Sequence, residues 1–125
     1  MDRSAVVRWV TGYERAWRSP GTDPLAELFT PDVSYRVSPW AEPLLGLDRL
    51  GAFWEAGRDG PDEDFTMTSE VVAVDGNVAV VRVSVDYARG RDWRDLWVLL
   101  FDADGRCATF EEWPFAPGQD DGQGQ

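Results

Sequence analysis

The sequence predicts a single α+β domain in which a cone-shaped, curved antiparallel sheet wraps around helices. Three observations lead there. Helix-period apolar spacing is confined to the first half of the chain, strand-period alternation runs from Phe65 to Phe115, and large rings are abundant, with seven Trp, six Phe and three Tyr among 125 residues. A chain of this length forms one hydrophobic core and buries about two-thirds of the surface its unfolded form exposes. Residues 1–117 therefore read as one domain. Residues 118–125, which contain only Gly, Gln and Asp, read as a disordered tail.

From Asp2 to about Ser19, the residues Val6, Trp9, Val10, Tyr13, Ala16 and Trp17 recur at steps of three and four, with Arg8, Glu14, Arg15 and Arg18 between them. This is an amphipathic helix. Ser19-Pro20-Gly21-Thr22 breaks it, and Asp23-Pro24 opens a short second helix, with Asp as N-cap and Pro at the first helical position, that ends before Pro31. Val33 to Val37 alternates as a short half-buried strand, after which Pro39, Pro43 and Gly46 mark a loop carrying Trp40. A third helix from near Gly46 places Leu47, Leu50, Phe53 and Trp54 on one face and fades through Gly57 and Gly60 into the acidic turn Asp62-Glu63-Asp64. Four strands follow as an antiparallel meander: Phe65 to Val74, Val78 to Tyr87, Trp93 to Phe101 and Arg106 to Phe115. The turns between them are Asp75-Gly76-Asn77, Arg89-Gly90-Arg91 and Asp102-Ala103-Asp104-Gly105.

A three-residue first turn sets Val74 against Val78 and pairs Val72 with Val80, Glu70 with Arg82 and Thr68 with Ser84 on an outer face. The opposite face collects Phe65, Met67, Ser69, Val71, Val81, Val83, Val85 and Tyr87 and points inward. In the last hairpin a loop of two or four residues pairs Phe101 with Arg106, Trp97 with Phe110, Asp95 with Glu112 and Trp93 with Pro114. Two carboxylates then stand opposite each other among rings. Like charges about 5 Å apart disfavour double ionisation, so one of the pair is expected to hold a raised pKa. The other face of this hairpin shows Arg94, Leu96, Val98, Leu100, Cys107 and Thr109, with Arg94 opposite Trp113 in cation–π position. Such a face is too apolar for water, which predicts a homodimer through the outer sheet face.

The formal net charge of −11 repels phosphate backbones and anionic lipid surfaces, so nucleic acid and membrane are disfavoured as partners. All twelve basic residues are Arg, and there is no His. Schiff-base lysine chemistry, a Ser/His/Asp triad and His-ligated zinc are thereby excluded, leaving Asp, Glu, Tyr and the single Cys107 for proton work. Cys107 has no second Cys to pair with and reads as an inert thiol on the outer face. Asp102-Ala103-Asp104-Gly105 places its Gly too early for a calcium loop. No metal and no cofactor is expected. With no apolar run long enough to span a bilayer and no signal-peptide pattern after Met1, a cytoplasmic location is expected.

Three stretches carry a family resemblance: Leu28-Phe29-Thr30-Pro31-Asp32-Val33 entering the first strand, Gly46-Leu47-Asp48-Arg49-Leu50 opening the third helix, and Asp104-Gly105-Arg106 before Glu112-Trp113. Together with the element order, they resemble the SnoaL-like part of the nuclear-transport-factor-2-like superfamily over about residues 3 to 115. That superfamily includes ketosteroid isomerase, polyketide cyclases and limonene epoxide hydrolase. The resemblance implies a cone-shaped α+β barrel, dimeric through its outer sheet face, with a deep pocket under the first and third helices. The family's catalytic residues carry over incompletely. Val37, flanked by Arg36 and Ser38, matches the isomerase's general-base Asp. Trp97 matches its oxyanion-hole Asp, with Asp95 one inward step away, and Tyr13 lies near its first-helix Tyr. The epoxide hydrolase's Arg between two Asp residues has its nearest spacing in Arg82, Ser84 and Asp86, on the outer face. Both mechanisms are therefore disfavoured.

Asp95 and Glu112 are the candidate catalytic residues, because an inward carboxylate without a basic partner is costly to bury and is retained where proton transfer is needed. Equally, they could sit solvated at the rim of the cone. Tyr13, Tyr35 and Tyr87 are candidate hydrogen-bond donors to a ligand. Trp17, Trp40, Trp54, Trp93, Trp97, Phe110 and Val37 complete the candidate ligand-binding set, as surfaces for a flat apolar molecule or as filling for the cone. Three readings stay open. One is an isomerase, cyclase or lyase acting on a small apolar or polycyclic molecule with Asp95 or Glu112 as general acid or base. Another is a non-catalytic ligand-binding or accessory dimeric domain, and the third is a dimer with a filled cone that acts through its surface.

Overall fold

A computed structural model describes residues 1–58 and 64–119. Helix α1 (Arg3–Arg18) follows the apolar spacing, burying Val6, Trp9, Val10, Tyr13 and Ala16. Asp2 caps it, its Oδ1 accepting from the Ala5 N–H at 2.8 Å, a contact worth about 1 kcal/mol. Helix α2 (Leu25–Leu28) is a single turn that starts later than expected, with Pro24 rather than Asp23 at the N-cap position and no side-chain cap.

Strand β1 (Phe29–Arg36) begins at Phe29 rather than Val33. Its early start comes from pairing with the last strand: Phe29 faces Cys107, and the ladder is irregular between Phe29 and Ser34, where Pro31 is tolerated without an N–H to donate. The expected loop after β1 contains a two-residue strand, β2 (Leu44–Leu45), pairing with Ser34 and Tyr35. Helix α3 (Leu47–Gly57) buries Leu50, Gly51 and Trp54. Strands β3 (Phe65–Asp75), β4 (Val78–Tyr87), β5 (Asp92–Phe101) and β6 (Cys107–Phe115) complete the chain. Of the expected acidic turn only Asp64 is described; Asp62 and Glu63 lie outside the described residues, as does the expected tail from Asp120 onward. Before that point Gly118 and Gln119 close a turn, the Gln119 N–H donating to the Ala116 carbonyl at 3.1 Å.

The six strands form one curved, unclosed sheet in the order β2-β1-β6-β5-β4-β3. It is mixed rather than wholly antiparallel, because β6 returns alongside β1 in the same direction. No helix among the described residues is long and apolar enough to cross a membrane.

Both hairpin registers differ locally from the expected ones. The β3–β4 turn holds two residues, with Asp75 facing Val78 and Gly76 at φ 59°, as a II′ turn requires of its first central residue. This shifts Val74 onto Ala79 and Ala73 onto Val80, but an irregularity between Val71 and Ala73 restores the expected pairs from Val71↔Val81 onward, Glu70↔Arg82 among them. Val72 is the extra residue of that bulge. In the β5–β6 hairpin Asp102 donates its N–H to the Arg106 carbonyl at 2.8 Å, so the loop holds three residues and Phe101 faces Cys107 instead of Arg106. A second irregularity between Leu100 and Phe101 completes a two-residue shift, with Trp97↔Glu112 and Asp95↔Pro114. Cys107 is consequently a core residue, not an outer-face one: it is fully buried, and its thiol donates to the Thr109 carbonyl at 3.1 Å. Arg94 faces Phe115 rather than Trp113 and pairs with Asp86 at 2.7 Å.

The core lies between α1, α3 and the concave sheet face. Trp9 is its centre, edge-on to Phe29 and Phe101 at 5.5 Å in each case, and its indole N–H donates to the Leu28 carbonyl at 2.9 Å. The convex face leaves Val72, Val78, Leu96, Leu100, Trp113 and Phe115 between 36% and 43% exposed.

Candidate functional site

The rings around Trp9 fill the narrow end of the cone, and the wide end opens into a cavity of about 660 Å³, inside the roughly 300–1,000 Å³ span of small-molecule sites. Helix α1 contributes Tyr13 and Trp17 to its wall, β1 and the residue after it Tyr35 and Val37, β5 Asp95 and Trp97, and β6 Glu112. Strand alternation puts the last three on one face: Trp97 faces Glu112, and Asp95 lies diagonal to it, one inward step along β5.

Asp95 is only 7% exposed. Its Oδ2 accepts from the Trp97 indole N–H at 3.4 Å, while its Oδ1 has no partner among the described residues. Burial first, and then the hydrogen bond and negative charge of Asp95, hold the Glu112 carboxyl well above the ordinary carboxylate range; Trp97 opposes this, with the smallest effect of the four. The proton that Glu112 retains is the donor available to Asp95. Beside this pair the Tyr13 and Tyr35 hydroxyls lie 3.3 Å apart. Burial foremost pushes both phenols up, helped at Tyr13 by Tyr35 and the carboxylates and at Tyr35 by Glu112, so both stay neutral. The Trp54 indole N–H is buried beside the Tyr35 hydroxyl, whose ionisation it makes less unfavourable, and no well-formed hydrogen bond to it occurs among the described residues. The wall thus offers neutral hydroxyl donors next to one retained carboxyl proton and one free carboxylate oxygen. That set can donate to a ligand oxygen and take up a proton within one small volume. Among the described residues no three of His, Cys, Asp and Glu converge as metal ligands.

The SnoaL-like domain profile matches residues 6–110. The chain belongs to the SnoaL-like family. No curated protein matches it, but solved structures share its fold. A protein of unknown function with a cystatin-like fold from Methylobium petroleophilum superposes with a TM-score of 0.74 at 14% identity, covering 100% of this chain and 84% of that one. A nuclear-transport-factor-2-like protein of unknown function from Burkholderia xenovorans gives 0.71 at 17% identity, over 95% and 89%. A steroid delta-isomerase from Pseudomonas aeruginosa gives 0.63 at 20%, over 92% and 82%.

In this SnoaL-like domain nine of the candidate residues line the cavity: Tyr13, Trp17, Tyr35, Val37, Tyr87, Trp93, Asp95, Trp97 and Glu112. Three do not. Trp40 is 98% exposed because Arg36, which points away from the cone as Tyr35 points into it, donates to the Ala41 carbonyl at 2.9 Å and holds the loop on that side. Trp54 is sealed behind the wall by Tyr13 and Trp17, at 5.1 and 4.9 Å. Phe110 lies under Tyr35, stacked at 4.4 Å. Phe53, Arg89, Arg91 and Pro114 line the cavity without having been singled out. Phe53 belongs to the apolar face predicted for α3, whereas Arg89 and Arg91 carried only a turn signal. Arg82, which pairs with Glu70, and Asp86, which pairs with Arg94, are both exposed and stand outside the cavity wall.

Proposed function

We propose that the cavity binds a small apolar or ring-containing molecule and that Glu112 and Asp95 act on it as general acid and base, in chemistry of the isomerase, cyclase or lyase kind. The observation that carries this reading is the partnerless Asp95 Oδ1 beside a Glu112 carboxyl kept protonated, both in the wall of an open cavity. Glu112 would donate its proton to a substrate oxygen as negative charge develops there, Tyr13 would hydrogen-bond the same oxygen, and the Asp95 carboxylate would accept a proton from carbon. The likeness to a steroid delta-isomerase supports this class of proton transfer. The test is turnover of small enolisable ring ketones, followed by loss of the proton α to the carbonyl to solvent deuterium. Exchange at least about 100-fold faster than with Glu112→Gln supports the reading, and equal rates in the two proteins would sink it.

A non-catalytic binding role is favoured by one observation: Val37 lines the cavity where the family's isomerases place their base. Binding of such ketones without exchange is its expected signature. The convex face is proposed as a homodimer interface, since Leu96 and Leu100 lie on it among exposed apolar neighbours. Sedimentation velocity at micromolar concentration is expected to give a dimer that Leu96→Arg with Leu100→Arg converts to monomer; a monomeric wild-type protein would reject the interface.

A further inference from the structure

The cavity has two chemically different ends. Its depth holds Asp95, Glu112 and the two Tyr hydroxyls, whereas its exposed end holds the turn between β4 and β5, with Arg89 and Arg91 on either side of Gly90. The turn is fixed. The Tyr87 N–H donates to the Arg91 carbonyl at 3.0 Å and the Gly90 N–H to the Tyr87 carbonyl at 3.0 Å, and Gly90 takes φ 88°, a conformation that favours glycine. Arg91 lies 5.8 Å from the centre of the Trp93 ring, itself part of the wall, and this cation–π contact keeps the guanidinium at the cavity.

Six other arginines, from Arg18 to Arg106, pair with carboxylates. Among the described residues neither Arg89 nor Arg91 does so, although acids outnumber bases 23 to 12 in this chain. Among the described residues Arg3, Arg8, Arg15 and Arg49 also lack a carboxylate, but none of them lines the cavity. Asp64 lines the same end and is anchored there through its carbonyl, which accepts from the Ala88 N–H at 2.9 Å; it forms no ion pair with either guanidinium. The exposed end therefore keeps one net positive charge from these three side chains. An anion entering the depth would meet the charge of Asp95. At the exposed end it would meet two donors shaped for carboxylate oxygens.

We propose that the ligand is an apolar ring molecule bearing a carboxylate, bound with the carboxylate on Arg89 and Arg91 and its opposite end toward Tyr13, Asp95 and Glu112. This rests on the small-molecule reading of the cavity and adds the chemical class and orientation of the ligand. The test uses two probes of the same shape, 2-naphthoate and the neutral 2-naphthamide, titrated calorimetrically into the wild-type protein and into Arg89→Gln with Arg91→Gln. Both positions are exposed, and the far-ultraviolet circular dichroism of the double variant is expected to match wild type. Naphthoate is expected to bind wild type about tenfold more tightly than naphthamide, as one charge-assisted contact allows. The double variant should lose that preference without changing naphthamide binding, and high salt should weaken naphthoate alone. Equal affinities in wild type, or a preference that survives in the double variant, would overturn the anion inference and leave the cavity reading standing. Failure of both probes to bind wild type would overturn both.

Discussion

Replacing Glu112 by Gln tests the buried carboxyl through its effect on stability. A carboxyl whose folded pKa is raised keeps a proton that the unfolded chain releases, so over that pH window the native state binds more protons and stability falls as pH rises. Below about 4.3, the ordinary Glu value, both states are protonated and the full stability is present. Above it, wild type loses about 1.4 kcal/mol per pH unit from this one group until the folded carboxyl also ionises. Gln is nearly isosteric and its amide can donate to the same Asp95 oxygen, so near pH 4 the two proteins should agree within about 1 kcal/mol. The variant should therefore become progressively the more stable protein as pH rises above 4.5, until the folded carboxyl itself ionises. Urea unfolding at half-unit steps, extrapolated linearly, measures both curves, and the carboxylates remote from Glu112 contribute equally to each and cancel in the difference, which leaves the Glu112–Asp95 pair. Parallel curves across the whole range would refute the argument.

Two further outcomes follow from the core. Trp9→Ala removes edge-on contacts to Phe29 and Phe101 and leaves the Leu28 carbonyl without its indole donor; a loss of about 3–5 kcal/mol is expected from the urea midpoint, and a loss below 1 kcal/mol would contradict the packing. Burial pushes the Cys107 thiol up to about 12, so an aromatic disulfide reagent at pH 8 should modify it only as fast as the protein opens, whereas immediate stoichiometric reaction would place the thiol at the surface.

What could be read from the sequence depends on parity. In a strand the side chain alternates with every residue, so a register wrong by two leaves each residue on its proper face while a register wrong by one reverses it. The β5–β6 loop is one residue off the expected length and the irregularity between Leu100 and Phe101 adds one more. From Leu100↔Thr109 onward the errors sum to two, and Asp95, Trp97, Phe110 and Glu112 therefore keep the predicted inner face. Cys107 lies between the two offsets, where the sum is one, and it alone of these residues changes sides. The same reasoning covers Val74, which the two-residue turn rotates inward onto Ala79 before the bulge at Val72 restores the register. Trp40 had no such protection, because a loop has no alternation to preserve. Arg89 and Arg91 were legible only as a turn, since what makes them notable is the cavity beside them.

The two-residue shift also matters for chemistry. Directly opposed carboxylates in similar surroundings would share one proton with little to choose between them. The observed diagonal places them in different surroundings. Asp95 faces the Pro114 ring across the ladder and receives the Trp97 indole N–H, whereas Glu112 faces Trp97 itself and is held neutral chiefly by loss of water. Burial thus raises the Glu112 carboxyl on β6, while on β5 the Oδ1 of Asp95 has no partner among the described residues. Such a division would give the proposed acid and base roles a donor and an acceptor before any ligand arrives.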